Sequence, residues 1–279
     1  MSIPVKRIED VPEGTLPGHC RVICGRCFDD PNPTFNVTNK QFARPSTIPD
    51  MPSTVWDMTC NPMSWGAKNP RALLLGVSKG PNQLKHVGDP LKHDVVPFDG
   101  LRDIITEALR LMDLLARNEH ITQKIMPTET DWAFGSVVRC TLGTVDELGK
   151  VRRTKSVVGP LSEMRDEDSW IRKCLPTFYK RIPPRLEKVV LLSNDDRYIK
   201  ACRRAFWEID NSIKPVKGNR VAYSNGKVTF VHIVHPAALR GRIDEPKKGN
   251  HVANWFAGGD DSQGRKQRDA LKALGVQFR

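Results

Sequence analysis

The sequence predicts a three-layer α/β/α fold on a central, mostly parallel four-stranded sheet. Three observations carry that expectation: short apolar runs bounded by turn residues, longer stretches of helical periodicity between them, and alternation of the two along most of the chain. Alternation matters because parallel strands need a long crossover, usually a helix, and the strands then lie buried on both faces and read as continuous apolar runs.

Residues 71–76 (RALLLG) read as the first such strand. Apolar residues Leu101, Ile104, Ile105, Ala108, Leu109, Met112 and Leu115 then recur at helical spacing over 101–115. A second strand is expected at 132–138, a basic, loop-like stretch at 150–160, and a helix at 167–180 despite Pro176. The third strand is 188–192 (KVVLL), followed by a helix over 197–209, a fourth strand at 228–234 (VTFVHIV) and a closing helix at 263–274. Residues 1–70, rich in proline and asparagine, show little periodicity and read as an irregular wrap over the 71–279 core of one domain spanning 1–279. In such sheets, sites form in loops after the carboxyl ends of strands. Here those loops are 76–83, 136–140 and 235–240.

The 279 residues include 44 Lys and Arg against 32 Asp and Glu, a net charge of +12. Such an excess favours a polyanionic partner, because each docked cation releases a condensed counterion; the plainer alternative is a basic, well-solvated surface. The charge recurs as Arg152/Arg153/Lys155, Arg203/Arg204, Lys214/Lys217/Arg220, Arg240/Arg242/Lys247/Lys248 and Arg265/Lys266/Arg268, mostly at expected loops and element ends. No apolar run approaches the ~20 residues a membrane span needs, and the N-terminus lacks the apolar core of a signal peptide. A cytoplasmic monomer without a membrane partner is expected.

Seven cysteines in a reducing compartment do not read as a disulfide framework. Only Cys24 and Cys27 show ligand spacing, C-x-x-C, which points to metal or redox chemistry.

Four segments, in order, carry a family resemblance. VHPAALRG at 234–241 resembles the His-Pro motif after the last strand of uracil-DNA glycosylases, and LLLGVSKGPNQ resembles their first motif, a buried strand running into a glycine-rich, water-positioning loop. VPFDGLRDIITEAL resembles the PF-x-G segment that opens a helix in the iron–sulfur branch, and SVVRC at 136–140 its N-V-V-K-C segment, ahead of a helix with another cysteine, Cys174. The resemblance implies DNA as partner and a structural [4Fe–4S] cluster on Cys24, Cys27, Cys140 and Cys174, with zinc as the alternative and Cys20 as substitute ligand. Cys60 and Cys202 are expected to be buried apolar residues.

An enzyme acting on a base within a duplex must extrude it into a pocket. The resemblance implies that Phe98 stacks on the base, with Gly76, Gly80 and Ser136 beside it, and that His235 donates to the negative charge building on the departing base. Structural readings stand beside these: Phe98 as core packing at a helix start, His235 as a structural histidine. Leu239 becomes the wedge left in the stack, and Arg240 and Lys79 phosphate contacts. No lysine occupies a Schiff-base position, Lys79 being the one that could overturn a monofunctional reading.

Departures from the motifs bear on substrate. Val77 replaces the glutamate of G-E-A-P-G, so water falls to Ser78, with Asn82 and Gln83 in reserve. Ser136 replaces the asparagine that reads the uracil edge, which an amide pairs on both its donor and its acceptor. A shorter side chain leaves a roomier pocket, suited to a bulky modified pyrimidine such as the substituted cytosines of some phages, with antiviral defence as the setting. Two alternatives are an ordinary uracil repair enzyme and a non-catalytic iron–sulfur DNA-binding protein.

Overall fold

The computed structural model describes residues 3–28, 33–36, 39–44, 54–153, 155–164, 169–236 and 245–277. The chain is α/β. In order, its elements are β1 (Val5–Arg7), β2 (Cys20–Ile23), β3 (Asn39–Arg44), β4 (Thr54–Thr59), β5 (Met63–Gly66), β6 (Ala72–Gly76), α1 (Pro81–Leu84), α2 (Arg102–Leu111), β7 (Trp132–Ser136), β8 (Thr141–Val145), β9 (Val151–Arg152), α3 (Lys155–Ser162), α4 (Trp170–Phe178), β10 (Lys188–Leu192), α5 (Asp196–Ile209), β11 (Lys214–Pro215), β12 (Ala222–Ser224), β13 (Thr229–Ile233), α6 (His251–Ala257) and α7 (Ser262–Leu274).

The expected four-stranded sheet is instead a nine-stranded mixed one, ordered β1-β2-β5-β7-β6-β10-β13-β12-β11. Within it β7, β6, β10 and β13 are mutually parallel, while β5 and β12 join them antiparallel on the two sides. A second, antiparallel sheet runs β3-β4-β8-β9. The irregular wrap expected over 1–70 is therefore corrected: this stretch holds five strands, three extending the large sheet and two building the small one.

The reason for that miss is local. β4 (TVWDMT) buries Trp56, Asp57 and Met58 in succession, so it lacks the alternation of a half-exposed strand, and a buried carboxylate stands where an apolar residue would mark it. Asp57 is tolerated there because Arg153, from the end of β9, pairs with it at 2.9 Å. Trp56 meets Trp170 of α4 edge to face at 4.9 Å between centroids and ties the small sheet to that helix. β9 and α3 likewise replace the loop expected over 150–160.

The runs read as buried strands behave as their composition dictates. Leu73, Leu74 and Leu75 of β6 and Val189 to Leu192 of β10 are almost wholly excluded from solvent. Helices start on side-chain caps: the Asp195 carboxylate accepts from the amides of Arg197 and Tyr198, and Asp261 from that of Gly264. α5 then turns Tyr198, Ile199, Cys202, Ala205 and Phe206 inward. One continuous cluster of buried apolar side chains runs from Ile8 to Leu271. Among the described residues no helix is long and apolar enough to cross a membrane.

Buried imidazoles make this core sensitive to acid. His232 of β13 donates through Nδ1 to the Ser193 carbonyl at 2.8 Å and faces the Tyr223 hydroxyl at 3.2 Å. Burial pulls His232 and His235 down to about 4 and His93 to about 3. Once unfolded they return to about 6.5, so below that pH the unfolded chain binds protons that the folded chain refuses. Stability is then full above about pH 7 and falls between about pH 6.5 and pH 4. The melting temperature should drop by roughly 5–10 °C over that window, and the slope should be shallower in His232→Gln. An unchanged slope in that variant would contradict the assignment.

Candidate active site

The carboxyl ends of the parallel strands β6, β7, β10 and β13 lie along one edge of the sheet, and the connection from β6 runs to β7 on one side while the one from β7 returns past β6 to β10 on the other. Where neighbouring crossovers diverge, a crevice opens beyond the strand ends. A cavity of about 320 Å³ lies there. Gly76, Ser78, Gly80, Asn82, Phe98, Ser136 and His235 all line it, so residues from four separate chain segments meet there.

Their geometry follows from local structure. Phe98 has φ +57, a left-handed conformation uncommon for a bulky residue and one that the surroundings must enforce. Its ring is buried, packs edge to face on Phe134 at 6.2 Å, and reaches within 3.8 Å of where a Cβ on Gly76 would sit. The Ser136 hydroxyl stands at the same distance from that point. Gly100 has φ +72, and a Cβ there would stand 2.9 Å from the Asn82 amide, which glycine leaves free to pack. Gln83 accepts from the Gly80 amide at 2.8 Å, which engages its carbonyl in fixing the loop. Ser78 is half-buried, and Val77, at the glutamate position of the motif, is buried. His235 is half-buried, and its lowered pKa keeps it neutral at pH 7, a donor through N–H rather than a cation.

Two charged residues in the cavity wall, Asp99 and Arg153, are not among the site residues that the sequence singles out. Asp99 supplies a carboxylate, with His86 Nε2 3.6 Å from it. Arg153 supplies a guanidinium; one Nη is held on Asp57, while its buried Nε has no hydrogen-bond partner among the described residues. Asp99 stood inside the quoted PF-x-G segment, at its variable position. Arg153 depends on a partner 96 residues away in sequence, which no local pattern reveals.

Behind the cavity the cysteines gather. Buried Asn61 accepts from the Thr141 amide at 2.9 Å and donates to its hydroxyl at 2.9 Å, which clamps the turn after β4 to the start of β8 and sets Cys60 beside Cys140. Cys174 of α4 accepts from the Arg139 amide at 3.4 Å, and the Cys60 thiol faces the Cys24 carbonyl at 3.7 Å. The thiols of Cys24, Cys27 and Cys140 all act electrostatically on Cys174. Hydrogen bonding from Cys60, then burial, pushes Cys140 well above the ordinary thiol range, and burial does the same for Cys174. Cys60 is buried in the apolar core as expected, and its thiol also hydrogen-bonds to Cys140. Cys202 lies in the core with Tyr198. Cys20 faces the Pro17 carbonyl at 3.5 Å, apart from the other thiols.

Lys79 needs correction. Its side chain is buried, so it touches no phosphate; the amine donates to the Arg139 carbonyl and lies within electrostatic reach of Cys140, Cys174 and Cys60. Burial lowers it to about 8. Arg139 is buried as well, donating to the Met63 carbonyl at 3.1 Å and to the Tyr179 hydroxyl, over the Phe178 ring at 4.8 Å. Gly135 makes room for it, since a Cβ there would stand 2.0 Å from the guanidinium. Among the described residues neither cation forms an ion pair.

Three thiols, Cys60, Cys140 and Cys174, lie within electrostatic reach of the buried Lys79 amine, Cys24 and Cys27 lie within reach of Cys174, and four thiolates on a four-iron cluster would carry excess negative charge to answer the amine. Among the described residues no three such groups stand close enough to hold one ion. A multi-iron cluster spreads its thiolates wider than a single ion does.

The basic surface is more internally paired than its sequence suggested. Arg152 pairs with Asp146, Arg220 with Asp269, Lys247 with Glu245 and Arg268 with Asp260, while Lys266 is buried against Asp196 and Arg203 and Arg204 sit within α5. Leu239 and Arg240 lie outside the described residues. A larger open groove, about 810 Å³, lies at the opposite, amino-terminal edge of the strands, lined by residues such as Asn69, Pro184 and Val228, away from this constellation. Comparison of the chain with protein-family models and with curated proteins finds no match to either.

Proposed function

We propose that the chain is a monofunctional DNA glycosylase of the uracil-DNA glycosylase type that hydrolyses the N-glycosidic bond of a flipped, modified pyrimidine. The observation that carries this reading is the meeting of Phe98, Ser136 and His235 with the Ser78–Asn82 loop on one cavity at the carboxyl edge of the parallel strands. Its volume, about 320 Å³, falls at the small end of organic-ligand sites, of the size a substituted nucleobase needs. The three-layer α/β/α arrangement around a parallel core belongs to the same reading.

The chemistry follows from the residues in the wall. Phe98, locked by its neighbours, offers an aromatic face to the base. The bond between the sugar C1′ and the base nitrogen breaks with its electron pair leaving on the base, and the water oxygen bonds to C1′. One water proton stays on the new sugar hydroxyl and the other ends on the base. Neutral His235 donates to the departing base, and Arg153 adds a positive charge beside it without a proton transfer. Asp99 supplies the carboxylate that the motif loop lost at Val77, with Ser78 and Asn82 as water ligands. The burial of the Lys79 amine supports a reaction without a Schiff base or strand cleavage. A [4Fe–4S] cluster on Cys24, Cys27, Cys140 and Cys174, with zinc as the alternative, would bind these segments together and take no part in the hydrolysis.

Oligonucleotides carrying uracil or bulky substituted pyrimidines, scored as alkali-labile sites, test the reading directly. The wild type should act on a substituted pyrimidine and poorly on uracil, and Ser136→Asn should reduce the former, since the longer amide fills the space. Efficient uracil excision with no action on any bulky base would make this an ordinary uracil enzyme. Absence of excision on every base, with DNA still bound, would leave a non-catalytic DNA-binding protein.

His235→Ala and Asp99→Asn should each lower the excision rate by about a hundredfold or more with DNA affinity nearly unchanged. Because His235 is neutral, the rate should lack a His-dependent inflection near pH 6.5. Full activity in His235→Ala would reduce His235 to a structural residue.

A further inference from the structure

Lys79 occupies two places at once. Its main chain belongs to the loop between β6 and α1 that walls the cavity, one residue from Ser78 and from Gly80. Its side chain crosses to the other side of that wall, where the amine donates to the carbonyl of Arg139, the residue whose amide bonds the Cys174 thiol at 3.4 Å and which precedes Cys140 in the chain, within electrostatic reach of Cys140, Cys174 and Cys60. A buried ammonium without a counter-charge costs several kcal/mol, so a protein rarely keeps one unless something anionic answers it. Here the answering groups are thiols, and thiols carry negative charge in a protein interior when a metal holds them. The first two carbonyls of the loop, Gly76 and Val77, accept from the Val137 and Val138 amides at 2.8 and 3.0 Å; beyond them α1 is a single turn, and among the described residues the Gln83 side chain bonds back to Gly80 within the loop.

We propose that Lys79 is a positioning residue: its buried ammonium, answered by the metal-bound thiolates of this cluster, holds the Gly76–Gln83 loop in the geometry that walls the cavity. Metal loading and cavity geometry are then one event. The inference rests on the metal–thiolate reading of the cysteines and not on which base is excised. A four-iron cluster and a tetrathiolate zinc ion both carry the required excess negative charge.

Backbone hydrogen exchange of the full chain without DNA tests it, comparing protein reconstituted with ferrous iron and sulfide, or with zinc, against the same protein stripped by a chelator. In the wild type, stripping should speed exchange over 76–84 by tenfold or more and leave β10 protected. In Lys79→Met the loop should exchange fast even when loaded, with stripping adding nothing. Lys79→Gln, which keeps a donor for the Arg139 carbonyl and loses the charge, should behave as Lys79→Met does. Three results would each overturn the proposal: no change in the wild type on stripping, β10 exchanging in step with the loop, or variants that keep the wild-type difference. If neither variant folds when loaded while the wild type does, the charge serves the whole fold and the local tether is overturned. Since no DNA is present, failure here leaves the excision reading standing, and failure of excision leaves this one.

Discussion

Two cations, Lys79 and Arg139, lie in the interior without an ion-pair partner among the described residues, and the arrangement around them follows from that constraint. Arg139 is accommodated by carbonyl and hydroxyl acceptors, by the rings of Phe178 and Tyr179, and by the missing side chain at Gly135. Lys79 has the Arg139 carbonyl and the thiols. The groups that approach the pair come from far apart in sequence: the C-x-x-C loop after β2, the turn at Cys60 and Asn61, the β7–β8 connection at Cys140, and α4 with Cys174. Tying those segments together also joins the small sheet to the large one, because Cys60 follows β4 and Cys140 precedes β8.

The cavity sits directly in front of this centre, and its two walls differ in what fixes them. Gly76, Ser136 and Leu192 are held by strand ends in the most buried part of the sheet, where register leaves no freedom. Phe98, Asp99 and the Ser78–Gln83 loop lie on connections, held by an enforced left-handed backbone at Phe98, a glycine at 100, and the buried Lys79 side chain. Arg153 enters from the small sheet on the strength of one buried carboxylate, Asp57. A cavity with a neutral imidazole, a carboxylate and a guanidinium suits a reaction in which positive charge develops on one fragment and negative charge on the other.

What the sequence discloses and what it hides divide along physical lines. Strands buried on both faces, such as 71–76 and 188–192, announce themselves as apolar runs, and the residues at their carboxyl ends inherit positions from the strand. Hence the places of Gly76, Ser136 and His235 at strand ends are legible in the sequence. β4 was not, because its interior position 57 is an aspartate whose charge is answered by a residue 96 positions away. Lys79 misled for a related reason. A lysine in a glycine-rich loop of a basic protein reads as a surface cation, and only the tertiary path of its side chain takes it inward. Cys60 looked like a solitary core thiol until the Asn61–Thr141 clamp set it beside Cys140.

The central claim is that an anionic metal–thiolate centre answers the buried cations behind the cavity. Anaerobic purification, metal and acid-labile sulfide assay, and alkylation of cysteines before and after chelation measure it most directly. The account predicts a brown protein with about four irons per chain, whose Cys24, Cys27, Cys140 and Cys174 resist alkylation until the metal is removed. Stoichiometric zinc in a colourless, folded preparation would replace the cluster while keeping the charge balance. A folded, metal-free protein whose four thiols resist or accept alkylation regardless of chelation would contradict it.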